Sequence, residues 1–164
     1  MEKEFQTAVF AAGCFWGVQY VFDKIPGVFE TTVGYIGGDE KIYPKPNYDL
    51  VCMDRTGYAE AVKVVFDTSK TTYKELLEVF WKIHDSTTPN RQGPDVGTQY
   101  RAAVFYLNDE QKKQAEAFKK AFQKKLGSKK VVTEIARAGK FFPAEEYHQK
   151  YYKKNPNFVC HIKI

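Results

Sequence analysis

The stretch QTAVFAAGCFWGVQYVFDKIPG, residues 6–27, decides how the chain is read. Residues 6–12 are short, apolar and β-prone, and read as a buried strand. From Cys14 the period changes: Phe15, Val18, Phe22 and Ile25 follow helical spacing, and Pro26-Gly27 ends the pattern. A strand therefore runs straight into a helix, with Cys14 at the junction. Free backbone N–H groups and the positive end of the helix dipole meet there. Both favour a thiolate, so Cys14 is expected to ionise below the free-cysteine value of about 8.5. Gly13 and Gly17 reduce bulk on either side. Phe15 and Trp16, if exposed, form an apolar slot for a small alkyl group.

Outward from that stretch, residues 28–34 read as a second strand, closed by Gly37-Gly38. Residues 37–58, with Pro44 and Pro46, form a long loop. A third strand covers 59–66. A helix over 71–84 puts Tyr73, Leu76, Leu77, Phe80 and His84 on one side. Residues 85–100 form a second long loop, and 101–107 a fourth strand. Asn108 caps a helix over 109–126 whose inward stripe is Gln111, Ala115, Phe118, Phe122 and Leu126; Gly127 stops it. A fifth strand is expected over 131–136, and Pro143 opens a last helix reaching 153. The tail NPNFVCHIKI, residues 155–164, reads as irregular and mobile. This order predicts an α+β two-layer sandwich. Its mixed sheet is built on a ferredoxin-like βαββαβ core, with extra helices. Loops longer than about 15 residues are rare in a compact domain unless they serve function, so 37–58 and 85–100 are where chemistry is expected.

The 164 residues fit one domain, 1–164, with 16% aromatic content that argues against disorder. The apolar runs are far short of the ~20 residues of a membrane span, and MEKEFQ shows no signal-peptide pattern. The expected location is the cytoplasm. Three cysteines, Cys14, Cys52 and Cys160, do not make a disulfide scaffold, and their spacing to His84, His148 and His161 forms no metal motif. Residues 109–130 carry eight lysines against three acidic residues, which accounts for the whole net charge of +5. This reads as a solvated helix face, with a nucleic-acid patch as the alternative. A second alternative is a cysteine hydrolase or acyltransferase pairing Cys14 with His84 or His148.

Five blocks carry a family resemblance. Gly13-Cys14-Phe15-Trp16-Gly17 is similar to the active-site signature of the A-type peptide methionine sulfoxide reductases. Gly34-Tyr35-Ile36-Gly37-Gly38 resembles the family's glycine-rich turn. Asn47-Tyr48-Asp49-Leu50-Val51-Cys52 with Thr56-Gly57-Tyr58-Ala59-Glu60 resembles the next motif. Residues 90–101, NRQGPDVGTQYR, match the longest, and residues 142–149, FPAEEYHQ, the one near the C-terminus. They occur in family order over nearly the whole chain.

The resemblance implies reduction of S-epimer methionine sulfoxide, one of the two epimers that separate enzymes repair. In that reading Cys14 is the nucleophile and Glu60 the acid that protonates the sulfoxide oxygen. Tyr48 and Tyr100 hydrogen-bond that oxygen, Asp95 supports the site, and Phe15 with Trp16 holds the S-methyl group. Cys160 resolves the Cys14 sulfenic acid, Cys52 being the weaker candidate, and thioredoxin reduces the disulfide. No cofactor, nucleic acid or membrane is implied. The chemistry asks for such parts independently: a sulfoxide sulfur is a poor electrophile until its oxygen is protonated or strongly hydrogen-bonded. Glu60 can donate at neutral pH only if burial raises its pKa. Three positions depart from the family pattern: Tyr58 in place of histidine, Pro94 in place of asparagine and Ser86 in place of proline. Tyr58 is expected to change what touches substrate near Glu60.

Overall fold

The computed structural model describes residues 4–158 and residue 162. Its strands and helices are β1 (Phe5–Ala12), α1 (Phe15–Asp23), β2 (Val28–Ile36), α2 (Tyr48–Cys52), β3 (Ala59–Asp67) and α3 (Tyr73–Ile83), followed by β4 (Arg91–Gln92), β5 (Asp95–Val96), β6 (Ala102–Tyr106), α4 (Asp109–Leu126), β7 (Glu134–Arg137), β8 (Phe142–Pro143) and α5 (Tyr151–Lys154). Two 3-10 turns, Thr98–Tyr100 and Glu146–His148, complete the list.

Six strands form one sheet in the order β7-β6-β1-β3-β2-β8. The inner four, β6-β1-β3-β2, are antiparallel throughout and carry the βαββαβ connectivity expected from the sequence. β7 joins parallel to β6, which makes the sheet mixed. Side chains alternate across each strand. Ala8, Phe10 and Ala12 of β1, with Val62, Val64 and Phe66 of β3, pack under α1, α3 and α4. The Phe10 ring stacks on Phe22 and Phe80, both with centroids 5.2 Å away. Val9, Ala11, Ala59, Ala61, Ala103 and Phe105 face the other way, where Ala138 and Phe141 cover them. Helices thus occupy one face only, as a two-layer sandwich requires. The same alternation puts Glu60 on the helix-covered face, in register with Tyr35 of β2.

Local signals set the helix limits. Thr72 and Glu75 form a reciprocal capping box that starts α3. Asn108 accepts from the Gln111 amide at 2.9 Å, and Gly127, at φ 62°, stops α4. The stripe on α4 faces inward as expected, with Gln111 and Ala115 buried and Phe118, Phe122 and Leu126 packed on the core.

Three expectations need correction. Pro143 does not open a long helix. Phe142–Pro143 is the edge strand β8, paired with Gly34 and Tyr35, and α5 spans only Tyr151–Lys154. Proline is tolerated at a sheet edge, where no neighbour needs its missing N–H. The segment is tied down afterwards: the Ala144 amide donates to the Val33 carbonyl, and the Gln149 side chain bridges Val33 and Ala144. The fifth strand begins at Glu134 rather than at 131, because Val131 and Val132 spend their amides on Gln123 and Ser86 instead of a strand partner. The two long loops hold short elements. Asn47 caps α2 in the first, and β4 with β5 forms a small hairpin in the second.

Candidate active site

Cys14 is the N-cap residue of α1. Gly13 before it takes φ 93°, a backbone turn that side chains resist, and this swings the chain from strand to helix. The amides of Trp16 and Gly17 point at the thiol and favour its ionised form. The expected low pKa is nonetheless wrong. Burial, then the Glu60 carboxylate, push the thiol well above its ordinary range, and the two amides do not offset them. A helix entrance lowers a cysteine pKa, but desolvation in a buried setting can outweigh it. Here the nearby groups are acidic.

Glu60 lies below that entrance and is 1% exposed. Its Oε1 accepts from the Phe15 amide at 3.2 Å, one residue past Cys14. Among the described residues its Oε2 has no hydrogen-bond partner. Loss of water raises its pKa, Asp95 adds to this and the Phe15 amide opposes it, leaving the carboxyl pushed up to about 8. Glu60 therefore holds a proton at neutral pH. Once it does, it no longer repels charge on Cys14.

Both long loops deliver side chains to this carboxyl. Tyr48 comes from α2 in the first, and Asp95 and Tyr100 from β5 and the 3-10 turn in the second. Glu60 and Asp95 lie close enough to push up the pKa values of both Cys14 and Tyr100. Burial and the acidic groups push both phenols far up, so they remain uncharged donors. Cys52 also reaches this cluster: the Tyr48 hydroxyl, one turn back along α2, donates to its sulfur. Cys160 lies outside the described residues.

The aromatic pair is split in depth. Phe15 is fully buried, with its ring centroid 5.8 Å from that of Tyr35 and 5.2 Å from His148. It is an inner wall rather than the exposed surface expected. Trp16 is partly exposed. Its indole stacks on Tyr151 at 3.8 Å, and its Nε1 donates to His148 Nδ1 at 2.9 Å.

The sequence reading missed Glu145. Its carboxylate accepts from the Tyr35 hydroxyl at 3.0 Å, the Tyr48 amide at 3.2 Å and the Tyr147 hydroxyl at 3.2 Å. It thereby fixes the start of α2, and with it Tyr48. The only signal was its place in the block of residues 142–149. Two alternatives lose support. His84 uses both ring nitrogens on Phe80 and Thr133, and His148 accepts from Trp16 through Nδ1, so neither is placed as a base for Cys14. The Tyr58 ring is buried against Gly38, whose added Cβ would sit 2.3 Å from it, and its hydroxyl donates to the Tyr43 carbonyl.

A family model described as peptide methionine sulfoxide reductase matches residues 6–164. The chain belongs to that family. Curated relatives named peptide methionine sulfoxide reductase MsrA agree. The one from Methanosarcina acetivorans is 52% identical over 150 residues, covering 91% of this chain and 78% of the relative. The one from Methanothermobacter thermautotrophicus is 48% identical over 161 residues, covering 98% and 94%. Among solved structures, reduced Mxr1 from Saccharomyces cerevisiae superposes with a TM-score of 0.89 at 37% identity, covering 96% of this chain and 89% of Mxr1. Methionine sulfoxide reductase A of Corynebacterium diphtheriae gives 0.88 at 34%, covering 96% and 78%. Mxr1 has also been solved in complex with Trx2; that structure matches with a TM-score of 0.62 at 26% identity, covering 92% and 89%. This peptide methionine sulfoxide reductase is thus an oxidoreductase. Among its described residues no helix is long and apolar enough to cross a membrane.

Proposed function

We propose that the enzyme reduces the S epimer of methionine sulfoxide, free or within peptides, by attack of Cys14 sulfur on the sulfoxide sulfur. Glu60 gives its proton to the sulfoxide oxygen as the bond forms. Tyr48 and Tyr100 hydrogen-bond that oxygen, and Asp95 supports the acid. The S-methyl group rests against Phe15 and Trp16. Oxygen passes to Cys14 as a sulfenic acid and methionine leaves. The Cys160 thiol then attacks the sulfenic sulfur; a disulfide forms and water departs. Thioredoxin returns both thiols, a step supported by the Mxr1–Trx2 complex. We assign the work to one catalytic domain in the cytoplasm, where sparse cysteines stay reduced.

One observation carries this reading. Glu60 is a sealed carboxyl that keeps its proton near neutrality and bonds the residue after Cys14 through one oxygen, leaving the other idle. An idle buried oxygen is costly in a merely structural role. It is what a proton donor waiting for substrate requires. The high resting pKa of Cys14 fits the same order of events. The thiol becomes a nucleophile only when substrate arrives and charge moves onto the sulfoxide oxygen.

The direct test is Cys14→Ser. Methionine formation from a sulfoxide peptide is expected to vanish, with circular dichroism and melting unchanged. Retained turnover removes Cys14 as nucleophile.

A further inference from the structure

One face of α1 looks onto α5. Trp16, Gln19, Tyr20 and Asp23 fall on it at helical spacing, followed by the cap residue Lys24. Two aromatic pairs join the helices. Tyr151 stacks on the Trp16 indole with centroids 3.8 Å apart, and Tyr152 meets Tyr20 at 5.3 Å. These rings border a cavity of about 190 Å³. A space of about 150 Å³ takes a benzene ring, whereas pockets for larger ligands start at about 300 Å³. The cavity therefore suits one amino-acid side chain rather than a cofactor. Its polar groups decide which kind. Asp23 is already neutralised, because its Oδ1 meets the Lys150 Nζ at 2.6 Å and accepts from the Thr31 hydroxyl at 2.5 Å. The Lys150 amide donates to Gln19 Oε1 at 2.8 Å, which ties α5 to α1. Lys24 Nζ lies 3.8 Å from the centre of the Tyr20 ring, and Lys153 borders the same space. Among the described residues neither of these two lysines meets a carboxylate.

Trp16 borders this cavity and, two residues past Cys14, is also read as a wall of the S-methyl slot. A peptide that places its methionine sulfoxide at Cys14 thus has a neighbouring residue within reach of the cavity. From Trp16 to Lys24 the helix rises about 12 Å, which an extended chain covers in three to four residues. We propose that the cavity is a second substrate subsite, and that its occupant is a glutamate of the peptide two or three positions from the methionine sulfoxide. The methylenes of that side chain lie on the aromatic walls, and its carboxylate meets Lys24 and Lys153 at the rim. An apolar residue covers these cations without pairing them, and a lysine is repelled by them. The proposal rests on the reading of Cys14 and Trp16 given above, and adds to it a preference for acidic sequence around the oxidised residue.

The test uses the full chain with dithiothreitol as reductant, so that recycling by thioredoxin does not enter. The substrates are capped peptides with a central methionine sulfoxide and a glutamate, glutamine or lysine placed two or three positions to either side. N-acetyl methionine sulfoxide, which has no neighbouring residue, is the reference. At one of these positions the glutamate peptide is expected to exceed its glutamine counterpart in kcat/KM by about three- to tenfold at low salt, through KM. The lysine peptide falls below both, and high salt levels the series. Lys24→Gln with Lys153→Gln is expected to abolish the glutamate preference while turnover of the reference stays within about twofold of wild type. Lys153→Glu shifts the preference towards the lysine peptide. Equal kcat/KM for glutamate and glutamine peptides at every position overturns the subsite. So does a preference that survives the double substitution, or a double variant that loses the reference substrate to the same extent as the peptides. If the wild type turns over neither the reference nor any peptide, the reading of Cys14 fails instead.

Discussion

Glu60 and His84 are both ionisable groups sunk in the interior, and they are satisfied to opposite degrees. His84 has its neutral form fully matched: Nδ1 donates to the Phe80 carbonyl at 2.6 Å, and Nε2 accepts from the Thr133 hydroxyl at 2.8 Å. The carbonyl can only accept, which assigns the tautomer. Burial pulls its pKa down to about 4, so it stays neutral and inert. Glu60 uses one oxygen on Phe15 and leaves the other idle. Depth alone therefore does not separate the two groups; the idle oxygen of Glu60 and its closeness to Cys14 do.

The largest contrast is kinetic. Glu60→Gln keeps the shape and the bond to Phe15 but has no proton to give. The first turnover at pH 7 is expected to fall about 10²–10⁴-fold. A rate within twofold of wild type, read by stopped flow, removes Glu60 as the acid. His84→Gln, by contrast, is expected to keep its single-turnover rate within a few-fold of wild type.

The next contrast concerns stability against pH. The folded pKa of Glu60 is raised from 4.5 to about 8, so the folded state holds its proton more tightly than the unfolded chain. That contribution is complete below about pH 4.5 and is lost as pH climbs through 8, amounting to a few kcal/mol. Urea midpoints are expected to decline over this window in the wild type and much less in Glu60→Gln. His84 acts at the other end. Its pKa is lowered from 6.5 to about 4, so its contribution is complete above 6.5 and fades as pH drops towards 4. His84→Gln should flatten the acid limb instead. Identical pH profiles for the two variants would erase the distinction between the sites.

His84→Ala sharpens the structural side. It empties the ring's space and strands the Thr133 hydroxyl, at a cost of about 2–4 kcal/mol in urea unfolding. The smallest effect belongs to Tyr58→Phe, which removes one hydrogen bond to Tyr43 and should cost about 0.5–1.5 kcal/mol. Peptide KM should not move, since the Tyr58 hydroxyl faces the loop carbonyl.

The βαββαβ core was legible because its signals are local and periodic, from the strand–helix switch at Cys14 to the Asn108 cap. The candidate site was proposed from blocks of residues, and the long loops do place Tyr48, Asp95 and Tyr100 near Glu60. What stayed hidden depends on distant partners. The state of Cys14 is set by burial and by Glu60, 46 positions along. Glu145 was only one member of the block of residues 142–149 until Tyr35 and Tyr48 came to rest on it. Pro143 fits a helix start and an edge strand equally well, and only the free edge of β2 decides between them.

That edge has a further consequence. β8 adds just two residues beyond β2, one of them a proline with no amide to offer. An extended chain arriving there finds almost no ladder to join. That side of the sheet is thus poorly suited to recruiting a loosened chain by strand addition.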